Sequence, residues 1–182
     1  MRCRLRGVEF EFFTSPGVFS YRRIDNGTCL LVESMVLPGE GRILDVGCGY
    51  GPVGIVAAKL APGLEVWMTD VNERAVALAR RSSEWNGVGG VVVRRGDLYE
   101  PVGDVVFDAV LSNPPISAGM RRVVRPLVEG AVDRLVEGGS LQVVVQTNKG
   151  GRTLASMMEG CFGGVDVVAR GSGYRVLRSV RR

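Results

Sequence analysis

The stretch from Ile43 to Gly54 constrains the fold more than any other part of this sequence. It reads ILDVGCGYGPVG, which predicts a buried strand that turns directly into a helix. Its last six residues satisfy G-x-G-x-x-G, the fingerprint of a dinucleotide-binding turn. In that fingerprint the strand runs directly into the first glycine, which here would be Gly49. In this sequence the strand runs into Gly47 instead, so Gly47 and Cys48 would be two extra residues between the strand and the fingerprint. Pro52 would also remove an N–H group where a pyrophosphate needs a donor.

Asp45 stands beside this turn and indicates a different ligand. Its carboxylate would repel a pyrophosphate but would attract an ammonium group. The amino acid portion of S-adenosylmethionine carries such a group, so the turn favours S-adenosylmethionine over a dinucleotide.

Short apolar runs alternate with amphipathic segments from residue 41 onward. This rhythm is typical of a parallel sheet that is covered by helices on both faces. The predicted strands are 42–46, 64–69, 90–95, 105–112 and 141–147. The predicted helices are 52–60, 72–85, 120–136 and 151–158. Two further runs, 165–169 and 174–180, predict a C-terminal antiparallel hairpin, so we expect a Rossmann-like α/β fold with a mostly parallel sheet of seven strands.

A single domain is expected for a chain of 182 residues without a long polar linker. Residues 1–40 break the alternation, because the phenylalanines of 10–13 suggest a strand and 26–37 suggest a helix. We expect 1–40 to form a short N-terminal cover over one end of the sheet and 41–182 to form the S-adenosylmethionine-binding core.

The absence of histidine narrows the possible chemistry. The four cysteines lie far apart and form no C-x-x-C pair, so no metal site is expected. Histidine is the commonest general base, and Cys48 therefore has no visible activating partner and is interpreted as a packing residue. No apolar run approaches the roughly 18 residues of a membrane span, and no signal peptide is recognisable, so we expect a cytoplasmic protein.

Two further aspartates follow predicted strands. Asp70 closes the strand 64–69 and Asp97 closes the strand 90–95. Because open parallel sheets bind ligands beyond the carboxyl ends of their strands, both carboxylates should face the same site as the glycine turn. Asp70 could accept hydrogen bonds from both ribose hydroxyls, and Asp97 could accept one from the adenine amino group.

The strand 105–112 ends in the sequence SNPPI, where two consecutive prolines stop any further strand pairing. Each proline fixes its own φ and restrains the residue before it, which predicts a stiff bracket. The Asn113 amide oxygen and the Pro114 carbonyl would stand at a fixed separation as two hydrogen-bond acceptors. Such a pair matches the two hydrogens of a planar amine.

These motifs together resemble the class I S-adenosylmethionine-dependent methyltransferases, in the branch that methylates exocyclic or amide nitrogens. Within that branch the chain resembles the small-domain family of ribosomal RNA guanine-N2 methyltransferases over most of its length. The segments that carry the likeness are DVGCGYG, NPPI, GVFS from Gly17, DNGTCLL from Asp25 and GYRV from Gly173.

The resemblance implies a role for each matching residue. The cofactor-binding residues would be Asp45, Gly47, Cys48, Gly49, Asp70, Val71, Asp97, Leu98 and Asn113. The catalytic bracket would be Asn113, Pro114, Pro115 and Ile116. Nitrogen methyltransferases often carry an aromatic residue where this chain has Ile116, so Phe19 is the candidate for stacking on the target base.

The formal charge is +4 and nearly all of the positive charge is arginine, which suits an anionic partner but is equally consistent with arginines spread over solvated faces. The resemblance implies RNA as the partner. Arg121, Arg122 and Arg125 follow the bracket, where the phosphates beside an extruded base would lie. We therefore expect methylation of an exocyclic amine in RNA, with guanine N2 of ribosomal RNA as the first candidate. The alternatives are protein glutamine N5-methylation through the same bracket and a non-catalytic RNA-binding or assembly module.

Overall fold

A mixed seven-stranded sheet forms the centre of the computed structural model, which describes residues 1–182. The strands in chain order are β1 (Arg2–Leu5), β2 (Val8–Glu11), β3 (Gly41–Val46), β4 (Leu64–Asp70), β5 (Val91–Arg95), β6 (Phe107–Ser112), β7 (Leu135–Gln146), β8 (Asp166–Gly171) and β9 (Tyr174–Val180). The helices are α1 (Asn26–Ser34), α2 (Pro52–Leu60), α3 (Glu73–Trp85), α4 (Arg125–Arg134) and α5 (Gly151–Phe162). None of these helices combines the length and the apolar composition that crossing a membrane requires.

The order of strands in the sheet is β5-β4-β3-β6-β7-β9-β8. Strands β3 to β7 pair in parallel, whereas β9 pairs antiparallel with β7 and β8 pairs antiparallel with β9. The expected Rossmann-like α/β fold with an antiparallel C-terminal hairpin is confirmed. The chain adds β4 and β5 on one side of β3 and then places β6 on the other side of β3. Open α/β sheets bind ligands at such a switch point in the strand order.

Helices cover the two faces of the sheet over separate apolar cores. Helices α1, α2 and α3 lie on one face, whose core includes Leu31 and Ile55. Helices α4 and α5 lie on the other face, whose core includes Leu127. Successive residues of β3 alternate between the faces, so Ile43 joins the first core and Leu44 the second. Burial on both faces explains why the central strands are almost continuously apolar.

The helix predicted over 120–136 is wrong at its start. A single π-helical turn, Met120–Val124, precedes α4, and the Arg125 N–H donates to the carbonyl oxygen of Met120. Pro126 follows at once and has no N–H group with which to continue a regular helical ladder. The π-helical turn therefore takes the place of a regular first turn of α4.

The strand predicted over 141–147 is too short, because β7 already begins at Leu135. The Gly138-Gly139 pair favours a turn when only the sequence is read. In the structure both glycines lie inside the strand, and φ is +79° at Gly138. A Cβ at Gly139 would lie 2.9 Å from the Val136 carbonyl oxygen, so glycine allows the irregular ladder to continue instead of ending it.

The first forty residues contain one strand more than expected. The strand around residues 10–13 is the second arm of an antiparallel hairpin, β1–β2, and α1 ends at Ser34, before the predicted end at residue 37. Phe10 and Phe12 are buried in the core that α1 and α2 also build. Because the N-terminal residues share this core, we propose that 1–182 form a single domain.

Residues 13–25, which we call the cover segment, connect the hairpin to α1. The segment is fastened to the start of α3 by two side chains. Asn72 Nδ2 donates to the Gly17 carbonyl oxygen at 3.1 Å, and Arg74 Nη1 donates to the Pro16 carbonyl oxygen at 2.8 Å. Asn72 also caps α3, since its side chain accepts from the Arg74 N–H at 3.0 Å.

Candidate active site

A cavity of about 630 Å³ lies at the carboxyl ends of β3, β4 and β6, bordered by the cover segment. All residues predicted to bind the cofactor line it: Asp45, Gly47, Cys48, Gly49, Asp70, Val71, Asp97, Leu98 and Asn113. Four other predicted residues line it: Phe19, Pro114, Pro115 and Arg122. The predicted residues that lie outside its lining are Ile116, Arg121 and Arg125. The fold thus brings the glycine turn, the aspartates and the proline bracket to one space.

The turn after β3 presents open backbone to this cavity. The N–H groups of Gly47 and Cys48 donate to the Thr69 carbonyl oxygen at 2.8 and 3.0 Å, which ties the turn to β4. The φ angle is +72° at Gly47 and +59° at Gly49, a region that favours glycine. A Cβ at either glycine would meet no protein atom within 4 Å. The turn therefore leaves space beside the cavity for a ligand to approach the backbone.

Asp70, the last residue of β4, braces the same turn. One of its carboxylate oxygens accepts from the Gly49 N–H at 2.8 Å, and the other accepts from the Asn72 N–H at 2.8 Å. A carboxylate has about four lone-pair positions, so each oxygen keeps one for a ligand. Asp70 is placed both to hold the turn and to accept hydroxyl hydrogens from a bound molecule.

Asp45 lies beneath the turn and is only 2% exposed. Its Oδ2 accepts from the Gly54 N–H at the start of α2, at 3.0 Å. Burial raises the pKa of Asp45 from its ordinary value of 3.8 to about 7; the Gly54 hydrogen bond opposes this rise, and the negative charge of Asp70 adds to it. A cationic group in the cavity would favour the ionised carboxylate.

Asp97 and Leu98 form the wall of the cavity beyond β5. Leu98 has a φ of +46°, which is uncommon for a residue with a side chain. Its carbonyl oxygen accepts from Thr69 Oγ1 at 3.2 Å, which holds this conformation against β4. The Asp97 side chain is exposed and has no hydrogen-bond partner in the protein. The uncommon backbone conformation of Leu98 at the cavity is the basis for the hypothesis that Asp97 and Leu98 contact a ligand.

The proline bracket is fixed against β3. Ser112, which precedes it, donates from Oγ to the Val46 carbonyl oxygen at 2.8 Å, and the two residues are partners in the parallel ladder. The Pro114 carbonyl and the Asn113 amide oxygen accept no hydrogen bond from the protein, and both residues line the cavity. The bracket therefore offers two unused acceptors next to the glycine turn.

Asp25 and Thr28 are residues of the site that the sequence reasoning missed. Asn113 Nδ2 donates to Asp25 Oδ1 at 3.2 Å and to Thr28 Oγ1 at 2.9 Å. Asp25 also caps α1, because its Oδ1 accepts from the Thr28 N–H at 3.1 Å. The signal in the sequence was an aspartate at the predicted start of a helix, which indicates a cap. It gives no hint of a contact across 88 residues of chain.

The rim of the cavity holds two of the residues predicted to contact the substrate. Phe19 lies on the cover segment and is 66% exposed. Arg122 lies in the π-helical turn and lines the cavity. Arg125 instead pairs with Glu129 on the surface of α4, with 3.5 Å between Nη1 and Oε1.

Ile116 lies away from the cavity lining. A Cβ added at Gly150 would be 3.3 Å from Ile116 Cγ2, so Ile116 faces the loop between β7 and α5. Its placement favours packing under that loop, and it leaves Phe19 as the exposed aromatic side chain at the rim.

Comparison with known proteins assigns the chain to a family. A family model described as methyltransferase small domain matches residues 9–178. The chain belongs to the methyltransferase small domain family. The enzyme class and the cofactor expected from the sequence, a methyltransferase that uses S-adenosylmethionine, are confirmed.

Several relatives resemble this methyltransferase small domain over nearly its whole length. Uncharacterized protein YbxB of Bacillus subtilis (strain 168) is 39% identical over 178 residues, which cover 97% of the chain and 88% of that protein. Ribosomal RNA small subunit methyltransferase C of Sodalis glossinidius is 31% identical over 172 residues, 93% of the chain and 48% of that protein. The solved T. thermophilus 16S rRNA N2 methyltransferase (RsmC), in complex with AdoMet and guanosine, is 26% identical with a TM-score of 0.89.

The methyltransferase small domain seen here spans about half the length of its ribosomal RNA methyltransferase relatives. It covers 48% of the Sodalis protein and 50% of the T. thermophilus chain. The likeness therefore concerns one half of each of those proteins.

No imidazole is available in this methyltransferase small domain, because the chain contains no histidine. Burial raises the pKa of the Cys48 thiol, and the charges of Asp45 and Asp70 raise it further, so the thiol stays protonated at neutral pH. No three side chains of the histidine, cysteine, aspartate or glutamate type cluster as a metal site would require. The side chains that line the cavity carry carboxyl, hydroxyl and amide groups and one guanidinium, that of Arg122.

Proposed function

We propose that this chain transfers a methyl group from S-adenosylmethionine to the exocyclic amine of guanine, at N2, in ribosomal RNA. One observation carries the proposal. The glycine turn and the two unused acceptors of the bracket line the same cavity, on adjacent strands β3 and β6. A methyl donor on the turn and an amine on the bracket would therefore meet in one cavity.

The residues present fit the cofactor. Gly47 and Gly49 leave the turn open for the methionine portion, and the buried Asp45 carboxyl lies below for its ammonium group. Asp70 keeps lone pairs for the ribose hydroxyls. The unengaged Asp97 carboxylate, with Leu98 beside it, would receive the adenine. Each portion of the cofactor thus has a group of complementary polarity.

The bracket would orient the amine. When bound, the cofactor supplies a methyl group on a positively charged sulfur, which keeps the electron pair of the broken carbon–sulfur bond. The Asn113 amide oxygen and the Pro114 carbonyl accept the two amine hydrogens and hold the nitrogen lone pair, otherwise delocalised into the base, in a reactive direction. Neither acceptor takes a proton, so the proton lost by the amine passes to water. Positioning therefore replaces a general base at this site.

The substrate assignment rests on charge and on the relatives. Arg122 at the rim offers a planar cation to the phosphates beside an extruded base. The T. thermophilus relative bound guanosine, and the Sodalis relative is named for ribosomal RNA. A protein glutamine amide also carries two hydrogens that would satisfy the bracket, but a neutral peptide would make no use of the Arg122 guanidinium.

Transfer of labelled methyl groups tests the proposal. Tritiated S-adenosylmethionine and the protein are mixed with one substrate in each of four reactions. The substrates are small ribosomal subunits, large ribosomal subunits, naked ribosomal RNA and total cellular protein. We expect label in a nuclease-sensitive polymer, and Asn113→Ala, with cofactor binding checked by calorimetry, serves as the inactive control. Label found only in protease-sensitive material would contradict the RNA assignment. So would the absence of label in every polymer despite cofactor binding.

A further inference from the structure

A hydrogen-bond network behind the bracket joins residues that lie far apart in the chain. Asn113 Nδ2 lies 3.2 Å from Asp25 Oδ1 and 2.9 Å from Thr28 Oγ1. The Thr28 hydroxyl lies 2.5 Å from the other Asp25 oxygen. Thr28 is buried, and Asp25 and Thr28 line the cavity beside Asn113.

The chemistry of the network allows one direction for every hydrogen. An ionised Asp25 carboxylate only accepts hydrogen bonds. The Thr28 hydroxyl must therefore donate its single hydrogen to Asp25, and its oxygen is left as an acceptor. The Asn113 group that faces both oxygens must then be the NH₂ end of the amide, because an amide oxygen there would face two acceptors.

The Asn113 NH₂ group therefore points at this pair of oxygens. The amide oxygen must accordingly point the other way, and it accepts no hydrogen bond from the protein. Asn113 lines the cavity, and its oxygen is the end of the amide that is left free for a substrate.

We propose that Asp25 and Thr28 are positioning residues that set the amide orientation of Asn113 and so restrict the enzyme to substrate nitrogens that carry hydrogens. The proposal rests on the proposed function, since it concerns the same bracket. If the Asn113 amide could flip, its NH₂ group would face the substrate amine, and two hydrogen-bond donors would then oppose each other. A ring nitrogen without hydrogens would then be accepted in place of an amine.

The position of α1 is itself fixed, which gives the network a rigid base. A Cβ at Gly27 would lie 2.9 Å from the Tyr174 ring, so the helix start packs directly on β9. The Tyr174 hydroxyl accepts from Gln146 Nε2 at 2.9 Å, which anchors the ring to β7. Asp25 and Thr28 are thus held by the sheet, independently of the bracket that they orient.

Kinetics of isosteric variants test the proposal. Asp25→Asn keeps a good helix cap but supplies hydrogens that let the Asn113 amide reverse, and Thr28→Val removes the hydroxyl at constant shape. We expect kcat on RNA to fall by about tenfold to a hundredfold in each, the effect of losing one charge-assisted hydrogen bond. The dissociation constant for S-adenosylmethionine should stay near that of the wild type, and the lost buried hydroxyl of Thr28→Val should lower the melting temperature by only a few degrees. Thr28→Ser, which keeps the hydroxyl, should retain most of kcat.

A purely structural role would give a different result. It would lower the melting temperature, the cofactor affinity and kcat together, and Thr28→Ser would lose as much as Thr28→Val. Either that pattern or an unchanged kcat in Asp25→Asn and Thr28→Val would overturn the proposal.

Side-chain amide NMR tests the orientation without any RNA. The chain has five asparagines and two glutamines, so the Asn113 NH₂ signal is identified as the one missing from Asn113→Ala. We expect its hydrogens to exchange with solvent far more slowly than those of the exposed Asn148, and the protection to disappear in Thr28→Val. Exchange as fast as that of Asn148 in the wild type would overturn the proposal. This result stands even if the wild type methylates no RNA, so the two proposals can fail separately.

Discussion

The substitution Asp45→Asn should remove a loss of stability that the wild type suffers as the pH rises. Folding raises the pKa of Asp45 from 3.8 to about 7, chiefly through burial. Because the folded protein holds this proton more tightly than the unfolded chain, its contribution to stability is fully present below pH 3.8 and is lost as the pH rises toward 7. A rise in pKa of this size corresponds to about 4 kcal/mol in the free energy of unfolding. The Asn side chain does not ionise, so its contribution to stability does not change with pH. Its amide oxygen can still accept a hydrogen bond from the Gly54 N–H.

Urea unfolding of both proteins at several values between about pH 4 and pH 8 measures the effect. The free energy of unfolding of Asp45→Asn minus that of the wild type should grow by about 4 kcal/mol across this range. The buried NH₂ group of the variant adds an offset that is the same at every pH, so the slope is the quantity to compare. A difference that stays constant or shrinks as the pH rises would refute the reasoning.

Three further substitutions test the two sides of the cavity. Gly49→Ala should raise the calorimetric dissociation constant for S-adenosylmethionine about tenfold, because φ is +59° there and the added Cβ enters the ligand space; an unchanged affinity would contradict this. Phe19→Ala should raise KM for RNA and leave kcat near the wild-type value, since stacking on a base contributes roughly 1 to 3 kcal/mol; a loss confined to kcat would contradict a stacking role. Arg122→Ala should lower the salt slope of RNA binding by about one phosphate contact in an anisotropy titration. Arg125→Ala is its control, because that guanidinium pairs with Glu129; equal effects of the two substitutions would contradict the assignment.

Local signals in the sequence predicted the elements that build the cofactor side. Pro52 after a glycine marks the start of α2, and Asn72 marks the start of α3, because each supplies a specific backbone requirement at a helix start. The pair Pro114-Pro115, which follows Asn113, likewise ends β6 at the predicted residue, Ser112. In each case a few adjacent residues are sufficient to determine the outcome.

Features that depend on a distant partner were not predictable in this way. The strand β1 is polar at Arg2 and Arg4 and forms because β2 pairs with it. Gly139 continues a strand only because neighbouring strands hold the ladder around it. The contact of Asp25 with Asn113 joins the cover segment to β6, and no local pattern carries that information. The sequence therefore indicated which residues line the cavity better than it indicated what positions them.

Nucleoside analysis of the methylated product tests the central claim, that the bracket presents an RNA amine for methylation. Ribosomal RNA and subunits are incubated with S-adenosylmethionine and either the wild type or Asn113→Ala, digested to nucleosides and examined by mass spectrometry. We expect N2-methylguanosine with the wild type and at least about a hundredfold less with Asn113→Ala, at S-adenosylmethionine concentrations that saturate both proteins. A different methylated nucleoside, or the same yield from both proteins, would contradict it.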